Sequence, residues 1–187
     1  MSQYQIKLQP EQNDQQPTLH QAKQVLDFIP NMYRNMVNAP GLLESYLFGY
    51  EAFRNNSAFS SAEQELIFLT ISLENGCEYC LAAHSMIADK MSGLDRHIVE
   101  ALLNAEPLPD ARLEALKIFT QVMLSSRGRP NQHDAEAFFS AGFNDRQILD
   151  IVLAIAVKTL SNYSNHLFNT EADQPFAAYL RSQDASS

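Results

Sequence analysis

The chain has 187 residues, 45% of them hydrophobic and 19% charged, a composition that fits one folded domain and excludes wholesale disorder. Asp and Glu outnumber Lys and Arg by 22 to 13, and the formal charge of −9 argues against nucleic acid and anionic membrane surfaces as partners. The N-terminus carries Gln and Glu where a secretory signal would be apolar, and the longest apolar stretch, residues 148–160, is short and interrupted by Asp150 and Lys158. A cytoplasmic setting is therefore expected, in which thiols are normally kept reduced.

Residues 1–17, rich in Gln, Asn and Pro, read as a polar arm, residues 18–180 as a helical domain, and residues 181–187 as a polar tail. Within the domain the spacing predicts a helix over 19–28, broken at Pro30, and a second over 41–54 with Tyr46, Tyr50 and Phe53 on one stripe. Phe48 falls off that stripe and needs a second apolar contact, such as another subunit. A third helix runs from Ala62 to Glu74, opened by a capping box of Ser60 and Glu63 and closed by the turn formers Asn75-Gly76. Its body is apolar nearly all round, which places it in the core. Further helices follow over 77–91, 94–104, 111–126 (capped by Asp110), 131–141 and 145–168 (capped by Asn144). No alternating run persists, so the expected fold is an all-α bundle of about seven helices.

The two cysteines, Cys77 and Cys80, form one C-x-x-C, and in an intracellular chain such a pair points to redox chemistry rather than to a structural framework. On the helix that begins there, Cys77, Cys80 and His84 are three and four residues apart and share one stripe. Free backbone N–H groups and the helix dipole favour a thiolate at Cys77, while His84, one turn after Cys80, can exchange a proton with it; which cysteine attacks is left open by spacing alone. Glu65, on the preceding helix, needs a polar partner in an apolar run, and His84 or a water-linked thiol is the nearest candidate. Desolvation is expected to raise its pKa into a range useful for proton relay.

The pattern Glu65, eleven residues, Cys77-Glu78-Tyr79-Cys80, three residues, His84 resembles the core of the AhpD-like alkylhydroperoxidases of the carboxymuconolactone decarboxylase-like superfamily. The run Asn162-Tyr163-Ser164-Asn165-His166, then Thr170 and Asp173-x-Pro175, is similar to a peroxidase-related branch. The resemblance implies a helical homo-oligomer, a trimer or a multiple of it if not a dimer. It implies a hydroperoxide substrate, an external dithiol reductant of lipoyl or thioredoxin type, and no flavin, haem or metal. It also implies that Cys80 attacks the peroxide, Cys77 resolves the sulfenic acid, and Glu65 and His84 form a proton relay. Where peroxidase members carry a relay histidine before the second cysteine, this chain has Tyr79, a poor base near neutral pH.

The alternatives are a dithiol–disulfide oxidoreductase acting on a protein or lipoyl partner, a decarboxylase or lactone-handling enzyme, a redox sensor whose disulfide alters assembly, inert buried thiols, and a zinc site built on Cys77, Cys80 and His84. The decarboxylase branch does not rely on a C-x-x-C pair, and structural zinc draws its ligands from separate segments. His166 is assigned a structural role, and His20, His97 and His133 a place on the surface.

Overall fold

The computed structural model describes residues 4–181. Nine α-helices lie among them, with no strand: α1 (Pro17–Leu26), α2 (Asn31–Met36), α3 (Pro40–Asn56), α4 (Ser61–Glu74), α5 (Glu78–Ile87), α6 (Arg96–Leu103), α7 (Ala111–Ser125), α8 (Gln132–Ser140) and α9 (Asp145–Phe168). α5 runs on into a π-helical turn, Ala88–Ser92, and a 3-10 turn, Gln174–Tyr179, follows α9. The fold is all-α, as expected. The six-residue α2 between Pro30 and Pro40 is an addition, as is the 3-10 turn; both are too short to show a periodic stripe. Beyond Arg181 the expected tail lies outside the described residues, as do the first three residues of the arm.

α4 is the axis of the bundle. Leu66, Ile67, Phe68, Leu69 and Ile71 are fully buried, and the helix packs against α5, α7 and α9. Its two interior hydroxyls cost little, because Thr70 donates to Leu66 O at 2.7 Å and Ser72 to Phe68 O at 2.7 Å. The Ser60–Glu63 capping box is formed, and equivalent boxes open α8 (Asn131 and Asp134) and α9 (Asn144 and Gln147). On the far side, Phe138 stacks between Phe119 (centroids 4.2 Å apart) and Phe143 (4.5 Å).

The α4–α5 connection fixes the cysteines. Gly76 adopts φ 67°, which a side chain rarely tolerates, and its N–H donates to Leu73 O at 3.0 Å while the Cys77 N–H donates to Ser72 O at 2.9 Å. This pair of bonds is a Schellman closure of α4. Cys77 is then at once the last residue of that closure and the N-cap of α5, and Cys80 lies in the first turn of α5.

The described segments before α1 and after α9 are tied to this core. In the arm, Ile6 N–H donates to Leu167 O at 3.1 Å, and Arg34 pairs with Asp14 at 2.7 Å and donates to Glu11 O at 3.0 Å. After α9, Asp173 accepts the Asn31 N–H at 3.1 Å at the start of α2 and the Tyr79 hydroxyl at 2.5 Å. No helix among the described residues is long and apolar enough to cross a membrane. Phe48 is 78% exposed, and Leu149, Val152 and Tyr163 on α9 are also exposed.

Candidate active site

Cys77 and Cys80 lie 3.5 Å apart as free, buried thiols. His84, one turn further along α5, meets Glu65 across the α4–α5 pair, with Nδ1 2.8 Å from Oε2. All four residues named from the sequence therefore come together, at 4% exposure or less. Four further residues join them. Arg54 of α3 forms an ion pair with the other oxygen of Glu65 and donates to the Tyr50 hydroxyl at 3.0 Å. Asn165 of α9 donates its amide toward Cys80 Sγ at 3.3 Å and Cys77 Sγ at 3.8 Å, and Ser161 lies 3.9 Å from Cys80 Sγ. Lys158 of α9, 1% exposed, places Nζ 5.4 Å from the centre of the Phe68 ring, which also packs on His84 (5.0 Å) and Arg54 (4.8 Å).

The site's electrostatics divide the cysteines. Burial opposes a Cys80 thiolate, but the hydrogen bond with Cys77, the charge of Lys158, the adjacent His84 and the Ser161 hydroxyl outweigh it and hold the Cys80 pKa well below an ordinary thiol. Cys77 is pushed up, by that same hydrogen bond and then by burial. The helix start favours a thiolate at Cys77 through the Cys80 backbone N–H, as expected, but this is outweighed, and the thiolate is favoured at Cys80, which faces the donors of α9.

Glu65 also departs from expectation. Burial raises its pKa, but His84 and then Arg54 more than reverse this, so the carboxylate is held below its usual value. Arg54 had no sequence signal beyond following Tyr50 by one turn; its guanidinium adds to His84 in favouring the ionised form of Glu65. Burial and the charge of Lys158 lower the His84 pKa despite Glu65. A neutral His84 beside a carboxylate donates from Nδ1, which leaves Nε2 as an acceptor.

Cys80, His84, Glu65 and Arg54 line a cavity of about 430 Å³ whose remaining wall is mostly aromatic and apolar, with Tyr33, Tyr46, Tyr50, Tyr79, Phe28 and Phe176 among its residues and Ser61, Gln64 and Ser92 as polar exceptions. Cys77 is behind this wall and does not line it. Tyr79 donates to Asp173 and packs edge-on against Phe176, with centroids 5.7 Å apart; burial and Asp173 raise its pKa, so it holds its proton. His166 lies against Tyr163 on α9, and His20, His97 and His133 are exposed. Among the described residues no three His, Cys, Asp or Glu side chains are grouped so as to hold a metal ion. The α9 groups were legible only in retrospect: Lys158, Ser161 and Asn165 recur at three and four residues and form one buried polar stripe.

The carboxymuconolactone decarboxylase family matches the chain over residues 44–121, a span that contains Glu65, Cys77, Cys80 and His84. No curated protein matches the chain. Among solved structures, an uncharacterized peroxidase-related protein from Silicibacter sp. TM1040 is 25% identical, with a TM-score of 0.75 over 93% of this chain and 92% of that one. An uncharacterized peroxidase-related protein with an alkylhydroperoxidase AhpD core, from Ralstonia eutropha JMP134, is 20% identical, with a TM-score of 0.75 over 89% and 88%. The debrominase Bmp8, as a cysteine-to-alanine variant in complex with 2,3,4-tribromopyrrole, shares the fold at 17% identity, with a TM-score of 0.77 over 95% and 97%. With the helical architecture and the family match across the cysteine helices, the chain is similar to the carboxymuconolactone decarboxylase family and to peroxidase-related proteins of the AhpD-like fold.

Proposed function

We propose that the protein is a thiol-dependent hydroperoxide reductase. The observation that carries this reading is the asymmetry of the cysteine pair: Cys80 faces an organic-sized cavity among hydrogen-bond donors, while Cys77 waits 3.5 Å away behind the wall. The Cys80 thiolate attacks the outer oxygen of a bound hydroperoxide, the O–O bond breaks, and the alkoxide leaves. His84 Nε2 takes the peroxide proton and returns it to the alkoxide, which departs as alcohol. Cys77 then attacks the Cys80 sulfenate sulfur. The oxygen leaves as hydroxide, carrying the Cys77 proton, and solvent protonates it to water. An external dithiol reduces the disulfide and is itself oxidised. Peroxide consumption with dihydrolipoamide as reductant tests the reading; no consumption above that of the free dithiol would refute it. The expected homo-oligomer belongs to the same proposal, with the exposed Phe48, Leu149 and Val152 as apolar surface for it to cover.

The cavity predicts the peroxide's size. Its volume of about 430 Å³ falls in the range of small-molecule sites and far exceeds hydrogen peroxide. Burying even two methylenes of a branched or aromatic hydroperoxide contributes about 1.6 kcal/mol, close to tenfold. Cumene hydroperoxide should therefore exceed hydrogen peroxide in kcat/KM by at least about tenfold, and equal values would show that the apolar wall does not contact substrate.

Tyr79, committed to Asp173, supplies no proton to the cavity. Tyr79→Phe should therefore leave peroxide turnover within about twofold of wild type and lower stability by roughly 1–3 kcal/mol, the cost of one hydrogen bond to a charged group. Thermal unfolding beside the peroxide assay separates the two effects. The same absence of a second relay group supports a second reading, a dithiol–disulfide oxidoreductase serving a protein or lipoyl partner. It predicts fast exchange with lipoamide and negligible peroxide-dependent turnover.

A further inference from the structure

Lys158 is an unpaired cation in the core. It is 1% exposed, and Nζ has no hydrogen-bond partner among the described residues. The Phe68 face at 5.4 Å is a weak partner that does not offset the desolvation of a buried ammonium. The nearby carboxylate, Glu65, is already shared by Arg54 and His84. Lys158 stands one turn before Ser161, whose hydroxyl is 3.9 Å from Cys80 Sγ, so it enters the site from the same face of α9. Of the groups that its charge reaches, Cys77, Cys80 and His84, the one suited to carry a negative charge is Cys80.

We propose that Lys158 is the built-in counter-charge of the Cys80 thiolate and thereby sets how oxidising the Cys77–Cys80 disulfide is. The inference rests on Cys80 being the reactive thiol, not on peroxide being its substrate. The charges of the reduced site balance: Arg54 against Glu65, Lys158 against Cys80, with His84 neutral. Other titratable groups facing the sulfur do not disturb this balance. Cys77 holds its proton, as do Tyr46 from α3 and Tyr79 from α5, each with its pKa raised. Disulfide formation removes the thiolate and leaves Lys158 buried without an anion. Reduction restores the pair: two electrons from an external dithiol leave Cys80 as thiolate and Cys77 as thiol, one of the dithiol's protons goes to Cys77, and the other is released to solvent. Lys158 therefore favours the dithiol form and makes the disulfide a stronger oxidant.

The test uses reduced and oxidised full-length protein, with no peroxide in either assay. The pH dependence of iodoacetamide labelling at Cys80, located by peptide mapping, is compared for wild type, Lys158→Met and Lys158→Gln, and reduction potentials are read by equilibration with glutathione. Both variants should raise the labelling midpoint by a unit or more. Each tenfold loss of thiolate stabilisation should lower the potential by about 30 mV. A packing role alone would move thermal stability and leave both readouts in place. Folded variants with wild-type midpoint and potential overturn the role of Lys158. So does a wild-type midpoint near that of a free cysteine, about 8.5, which needs no variant. Labelling at Cys77 in place of Cys80 refutes the nucleophile assignment underneath it.

Discussion

Cys80→Ser should bring peroxide turnover to the uncatalysed background, a loss on the order of a thousandfold or more, whereas Cys77→Ser should react once and stop. The difference follows from position and charge. A serine hydroxyl does not ionise at neutral pH, so the donors of α9 have no anion to hold. Cys77 cannot substitute for Cys80, because it does not line the cavity and its thiol is held protonated. In Cys77→Ser the thiolate still meets peroxide, but the sulfenic acid has no resolving partner, and dimedone should trap one equivalent per chain. Since the Cys80 pKa is lowered, the wild-type reaction should stay near full rate from alkaline to neutral pH and fall only as acid protonates the sulfur. Full turnover by Cys80→Ser would sink the mechanism.

The parts of this site that lie close together in the chain were readable from the sequence, and those assembled across the bundle were not. The capping box, the Asn75-Gly76 closure and the Cys77–Cys80–His84 stripe are local features, set by backbone hydrogen bonds within one or two turns, and each occurs as expected. The short turn between the two helices left Glu65 two candidate partners, His84 and a water-linked thiol, and packing of α4 on α5 selects His84. Arg54 and Lys158 enter from α3 and α9, whose approach depends on tertiary packing such as that of Gly49 against Val157, and nothing local specifies it. Lys158 in particular was read as a charge interrupting an apolar stretch, when its full burial is what gives it consequence. The expected rise in the Glu65 pKa fails for the same reason: desolvation is legible from an apolar run, but the Arg54 guanidinium that α3 adds to His84 is not.

Glu65 is the second position where a large effect is expected, and two substitutions separate its roles. Glu65→Ala leaves Arg54 without an anion and His84 Nδ1 without an acceptor inside the bundle, and removing one partner of a buried pair costs about 3–5 kcal/mol. Glu65→Gln fills the same space. Its carbonyl can accept from Arg54, but its amide then faces His84 and donates to Nδ1. The imidazole must carry its proton on Nε2, where the cavity needs an acceptor, so turnover should fall by about 10²–10⁴ with much of the stability kept. The pH dependence supplies an independent check. A carboxylate whose folded pKa is depressed contributes stability that is fully present above its ordinary value of 4.5 and is lost as pH falls through the folded value. Wild-type protein should therefore lose melting temperature below about pH 4.5 more steeply than Glu65→Gln, which has no carboxylate to protonate. Parallel acid profiles for the two proteins would show that Glu65 is not held ionised by Arg54 and His84, and that His84 takes its tautomer from some other neighbour.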